Sequence, residues 1–203
     1  MAGERVTVAR EAEHEDVVDG SRFIARVRPV RSAAEAEELI ASARRDHPDA
    51  THHCWAYKVG EAVRFSDDGE PGGTAGRPML EVMLKRGLDG CAAVVIRYFG
   101  GRKLGAGGLV RAYGAAVARA LDAAGVRTLT AYHRLRVRAP FASADAVLRE
   151  LGPGATPGFD ERGLVAEVAV PAAEAGAMTD RLAALTRGAA EVEFVGTEEG
   201  PSA

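Results

Sequence analysis

Cys91-Ala92-Ala93-Val94-Val95-Ile96-Arg97-Tyr98-Phe99 is an apolar run broken by one charge, and Gly100-Gly101-Arg102-Lys103-Leu104-Gly105-Ala106-Gly107-Gly108 follows it directly. The run has the length and near-continuous hydrophobicity of a strand covered on both faces, which predicts the centre of a sheet. Beyond the glycines, Val110, Gly114, Val117 and Leu121 recur at helical spacing and predict a core-facing stripe, with Arg111 and Arg119 off it and Asp122 to Gly125 closing the helix. A strand, a glycine loop and a helix start in this order present free backbone N–H groups where an anion can sit.

Upstream, Ser21 to Val30 reads as a strand, and Ser32 with Glu35 forms a capping box for a helix that Pro48 ends. His52 to Val59 and Ala62 to Phe65 read as strands around a Gly60-Glu61 turn, and a further helix is predicted from about Pro78 to Arg86. Downstream, the order is strand (Tyr132 to Arg138), helix (Ala142 to Leu151), strand (Ala155 to Asp160), strand (Leu164 to Val170), helix (Ala172 to Thr186) and strand (Ala190 to Val195). This βαββαβ order is the ferredoxin-like pattern. The predicted division is an N-terminal segment 1–20, a first domain 21–128, a second domain 129–197 and a frayed tail 198–203, within an α+β chain.

A chain of 203 residues has room for one large domain or two small ones, and its 47% hydrophobic and 27% charged residues are those of a folded globule. Repeat arrays and disorder as the main state are excluded. The net charge of −3 means that any phosphate-binding surface is a local patch. Cys54 and Cys91 are the sole cysteines and neither belongs to a paired motif, which implies a reducing, cytoplasmic setting without disulfides or a thiolate zinc site. Met1 through Asp19 has no apolar core, and no uncharged apolar run approaches the roughly 18 residues of a membrane span.

The chemistry concentrates in the first domain. Between Gly90 and Leu121 there is no acidic residue, while Arg97, Arg102, Lys103, Arg111 and Arg119 give a local positive sign. Arg97 near the end of its strand and Arg111 in the first helical turn converge on the loop between them. Phe99 and Tyr113, with Tyr98, add rings, and cations interleaved with aromatics suit single-stranded RNA. The loop lacks the GxxxxGK[ST] spacing, and Gly105-Ala106-Gly107-Gly108-Leu109-Val110 fails GxGxxG at its last position. A second glycine-rich loop carries Asp67, Asp68, Glu70 and Thr74; its carboxylates either hold magnesium or dock on Arg102, Lys103 or Arg111 as a structural clamp. His52, His53 and Cys54 resemble ligands or a nucleophile with its base, but strand alternation separates neighbours onto opposite faces and no metal set is completed.

Three blocks are long and specific: His47 through Tyr57, Ser66 through Pro78, and Arg97-Tyr98-Phe99-Gly100-Gly101-Arg102-Lys103-Leu104-Gly105-Ala106-Gly107-Gly108-Leu109-Val110-Arg111-Ala112-Tyr113. Together they resemble the IMPACT family, bacterial YigZ type, strongly over Ser21 to Leu121. Arg102 departs from the apolar residue more usual there. The resemblance implies a first domain with the ribosomal-protein-S5 domain 2-like fold and a second, ferredoxin-like one, similar to the last two domains of elongation factor G. Eukaryotic members are similar regulators of translation initiation that bind the activator of a general-control kinase, through a chain that also carries an RWD module.

The expected function is therefore a non-catalytic, cytoplasmic, translation-associated protein. It binds RNA or the ribosome through Arg97, Phe99, Gly100, Gly101, Arg102, Lys103, Gly105, Gly107, Gly108, Arg111 and Tyr113, needs no cofactor, and has room for a translation-related protein partner. The alternative is an enzyme on a small phosphorylated or nucleotide ligand, with Asp67, Asp68 or Glu70 holding magnesium or acting as base.

Overall fold

The computed structural model describes residues 4–201. Its regular elements are strands β1 (Arg5–Val8), β2 (Ala12–Val18) and β3 (Ser21–Pro29), helix α1 (Ala33–Asp46), strands β4 (His52–Val59) and β5 (Ala62–Ser66), helix α2 (Gly76–Lys85), strand β6 (Cys91–Tyr98) and helix α3 (Gly105–Ala124). There follow β7 (Val126–Ala139), α4 (Ala144–Leu151), β8 (Thr156–Asp160), β9 (Gly163–Pro171), α5 (Ala175–Thr186) and β10 (Glu191–Pro201). The described chain is thus mixed α/β with two antiparallel sheets and five helices. It divides into two compact units, Arg5–Thr128 and a second that begins at Leu129.

The first unit is built outward from β6, which pairs with β3 on one side and β4 on the other in the order β2-β3-β6-β4-β5. Strand alternation sends its side chains into two cores. Cys91, Ala93 and Val95 pack with Met79, Leu109 and Tyr113 under α2 and α3, while Ala92, Val94 and Ile96 pack with Leu39 and Ile40 under α1. A residue run that must satisfy apolar neighbours on both sides has no polar face to show, which is why the sequence is nearly continuous there.

Three sequence expectations change in the first unit. The segment before Ser21 had no element assigned to it; it contains β1 and β2, and β2 joins β3 through Asp19 and Gly20, both at positive φ. An Asp-Gly pair at positive φ is a tight hairpin turn. Along α3 the buried stripe begins at Leu109 and continues through Tyr113, Val117 and Leu121, whereas Val110 is 40% exposed, so the expected stripe was set one position late at its start. The capping box also departs in one arm: Glu35 N–H donates to Ser32 Oγ, but Glu35 Oε2 accepts from Arg31 N–H.

In the second unit the strands lie in the order β10-β7-β9-β8, every neighbour antiparallel. Helices α4 and α5 contribute Val147, Leu151, Met178 and Leu182 to one core with Leu135, Val137, Leu164, Ala166 and Val168 from β7 and β9. The predicted tail is corrected: β10 continues to Pro201, held to β7 by pairs such as Glu198↔Tyr132 and Gly200↔Thr130, because backbone pairing to a long strand orders a polar stretch that has little to bury. Ser202 and Ala203, the rest of that tail, lie outside the described residues. Among the described residues no helix is long and apolar enough to cross a membrane.

Candidate functional site

The two glycine-rich loops of the first unit meet at a cleft of about 370 Å³, lined by Thr51, His52, Glu70, Pro71, Arg97, Phe99, Lys103, Leu104, Gly105, Ala106 and Leu109. Its floor is a buried polar network. Arg97 Nη1 donates to Glu70 Oε1 at 2.5 Å, the Tyr113 hydroxyl donates to the same oxygen at 2.7 Å, and Arg97 Nη2 donates to Ser21 Oγ at 3.2 Å. The guanidinium also lies over the Phe23 ring, 5.3 Å from its centroid, and over Phe99 at 5.6 Å. A buried carboxylate is tolerable only with this much compensation, so each member fixes the others.

This network corrects the expectation for Arg97 and Tyr113. Arg97 is 4% exposed and neutralised by Glu70, and Tyr113 is fully buried with its ring edge-on to Phe23 at 5.2 Å. Neither offers a free cation or a stacking face. The reason is strand parity: Arg97 shares the face of Ala93 and Val95, beneath α3, and Tyr113 lies one turn along from Leu109 on the buried stripe. Burial raises the ionisation of the Tyr113 phenol well above its ordinary value, and it pushes the Cys54 thiol, 3.3 Å from that hydroxyl and 3.0 Å from Asp67 O, up to about 12. Cys54 stays a thiol and is no nucleophile at neutral pH.

The acidic loop is a clamp, though not on the partners expected for it. Asp67 accepts from three backbone N–H groups, Gly73 at 2.7 Å, Ala75 at 3.0 Å and Gly76 at 2.9 Å, and so caps α2 from a distance where Ala75 cannot. Asp68 binds Arg44 Nη2 at 2.8 Å through Oδ1 and His53 N–H at 2.7 Å through Oδ2. Thr74 Oγ donates to Pro71 O at 2.6 Å. The carboxylates therefore reach Arg97, Arg44 and a helix start, not Arg102, Lys103 or Arg111. Among the described residues no three His, Cys, Asp or Glu side chains are arranged to hold a metal ion.

The rim is different. Helix α3 opens at Gly105 with no side chain capping it, and Gly105 and Ala106 line the cleft. Its first N–H groups are thus left for a ligand or water. Lys103 lines the same mouth, exposed, and no ion pair engages it among the described residues; Arg111 is likewise exposed and unpaired, but it stands in the second turn of α3 and borders a neighbouring hollow, its Nη1 folded toward Gly107, so it does not converge with Arg97 on the cleft as expected. Arg102 is exposed with only a loose contact to Asp19 at 3.7 Å. Phe99 is 48% exposed, and its N–H donates to Thr51 Oγ at 3.0 Å. Gly108, Arg111 and Arg119 border a neighbouring hollow, where Arg119 is ion-paired with Asp16.

Glycines in this loop differ in use. Gly100 meets Gly20 backbone to backbone, and a β-carbon there would overlap the Gly20 carbonyl and Ser21 nitrogen; its N–H donates to Ser21 Oγ at 3.1 Å. It braces the loop, whereas Gly101 and Gly105, both at positive φ in open space, shape the exposed bend.

Sequence reasoning missed Ser21, the hydroxyl that ties Arg97 to Gly100, and left His52 unassigned. His52 stands at the cleft with Nδ1 2.8 Å from Asp68 O and Nε2 3.9 Å from Glu70 Oε2. Trp55 stacks on Tyr57 at 5.7 Å on the α1 side of the sheet, away from the cleft.

Both loops that make the cleft lie inside residues 19–121, the stretch matched by the family model described as the Impact N-terminal domain. The chain is 52% identical over 123 residues to the IMPACT family member YvyE of Bacillus subtilis, a match that spans 59% of this chain and 57% of that one. It is 35% identical to the IMPACT family member YigZ of Escherichia coli over 195 residues, 92% of this chain and 93% of its relative. Among solved structures, one described only as a hypothetical protein superposes with a TM-score of 0.67 at 33% identity, covering 97% of this chain and 99% of the other. A match that includes every residue of the floor and rim, and a relative aligned over nearly the full length, place the chain in the IMPACT family.

Proposed function

We propose that this protein is a non-catalytic, cytoplasmic, translation-associated regulator whose first unit binds RNA or the ribosome at the rim of the cleft. Lys103, Arg102 and Arg111 neutralise backbone phosphates, the uncapped start of α3 receives one phosphate oxygen, and Phe99 stacks on a base. Arg97, Tyr113 and Glu70 hold this rim in place from below. The observation that carries the reading is the pairing of an uncapped helix start with exposed cations, Lys103 at the cleft and Arg111 at the hollow beside it, that no carboxylate engages among the described residues, in a chain whose net charge is negative. The strand order β10-β7-β9-β8 supports a ferredoxin-like second unit, and family membership supports an S5 domain 2-like first unit. A translation-related protein partner is compatible with the same role.

The test is co-sedimentation with ribosomes and titration of single-stranded RNA at several salt concentrations. The Lys103→Glu, Arg111→Glu double variant is expected to bind weakly to every RNA sequence, and the slope of log affinity against log salt should fall by about 1 to 2. Unchanged binding by the double variant would remove the proposal.

A further inference from the structure

Glu70 is 97% buried at its side chain, yet only one of its oxygens is satisfied: Oε1 accepts from both Arg97 and Tyr113, while Oε2 accepts no hydrogen bond among the described residues. Its neighbour is His52 Nε2 at 3.9 Å. The His52 ring is oriented by its other nitrogen. Because Asp68 O can only accept, the 2.8 Å contact puts the proton on Nδ1, and in the neutral ring Nε2 carries a lone pair. With the ring in that neutral form, two acceptors face one another across a gap too long for a hydrogen bond, in the wall of a cleft whose opposite lip is cationic.

Such a pair calls for two donors side by side. One ammonium group would supply them, but Lys103 and the positive end of α3 border the same space and repel a further cation. A neutral pair of adjacent hydroxyls meets no such penalty, and a cis-diol donates one O–H to each acceptor. We propose that Glu70 Oε2 and His52 Nε2 receive the 2′- and 3′-hydroxyls of a ribose whose phosphate lies at Lys103 and the start of α3. The cleft then takes a terminal ribonucleotide, with its base toward Phe99. Its volume of about 370 Å³ falls at the small end of the range of about 300–1,000 Å³ usual for ligand pockets. This rests on the RNA-binding reading above and adds to it a preference for a free ribose end. The same chemistry is offered by the 3′ end of an RNA and by a free 5′-mononucleotide.

The unaltered protein decides the matter, so no variant has to fold. A short fluorescent oligoribonucleotide ending in a ribose cis-diol is titrated beside one identical except for a 2′,3′-dideoxy terminus. The diol end should bind about tenfold more tightly, the effect of hydrogen bonds to a buried charged acceptor. In His52→Ala, checked for folding by thermal melting, that ratio should shrink toward one while salt-dependent binding persists; in Lys103→Glu, Arg111→Glu both should be lost. Displacement of the oligonucleotide by adenosine 5′-monophosphate assigns the free nucleotide as the occupant, and failure to displace, with the diol preference intact, assigns the RNA end; both support the site. Equal affinity for the two termini overturns this inference and leaves the RNA-binding reading standing, whereas no binding of either overturns both.

Discussion

The loop Ser66–Gly76 and the loop Gly100–Gly108 are both rich in glycine, opposite in the sign of their charge, and opposite in how that charge is disposed. In the first, every carboxylate turns inward: Asp67 onto three backbone N–H groups, Asp68 onto Arg44 and His53, Glu70 onto Arg97 and Tyr113. In the second, Lys103 is exposed at the cleft mouth and no ion pair engages it among the described residues. Charge in a glycine-rich loop thus serves folding where its partners are supplied within the chain, and stays at the surface where they are withheld. Composition records the sign of each charge but not what that charge faces.

The comparison breaks first at its strongest point. Replacing Arg97 by Met leaves Glu70 charged and buried without its counter-ion, and the expected loss is about 3–5 kcal/mol of unfolding free energy by urea titration. Lys103→Met, in the outward loop, should stay within about 0.5 kcal/mol of the unaltered protein. Equal losses would erase the distinction between the loops. A smaller effect sharpens it: Asp67→Ala orphans three N–H groups at the entry to α2 and should cost about 1–3 kcal/mol, read in the same titration and as faster amide exchange at Gly73, Ala75 and Gly76.

The smallest effect is one of pH. Burial is the largest influence on His53 and lowers its ionisation below 6.5, outweighing the opposing help of His47 O and Asp68. The folded state holds the ring neutral more strongly than the unfolded state does. Its contribution is therefore complete above pH 6.5 and is lost as pH falls from there through the folded value. Stability measured between pH 7 and pH 5 should decline less steeply in His53→Gln than in the unaltered protein, and an unchanged slope would place the acid sensitivity elsewhere.

Much of the fold was legible because single residues spoke for long stretches. The run Cys91 to Tyr98 announced a strand buried on both faces, and Ser32 with Glu35 announced a helix start. β2 went unread because its exposed Glu13 and Glu15 look like a solvated segment; the legible signal was the Asp19-Gly20 turn, which sets Glu13 opposite Arg26 and brings Glu15 within diagonal reach of Arg22. The site was legible as a place and not as a set of roles. Leu109 and Tyr113, four apart, could have shown that the tyrosine faces inward, and the parity of Val95 and Arg97 could have shown the same of the arginine. The Glu70–Arg97 pair, 27 residues apart, depends on loop geometry that no local pattern encodes.

The contact between Gly20 and Gly100 leaves no space for even one added carbon on the second of them. A library intended to retune what this scaffold recognises should therefore hold those two positions constant and randomise 101–104. The hairpin then acts as an anvil against which new tips can be forged without disturbing the sheet beneath.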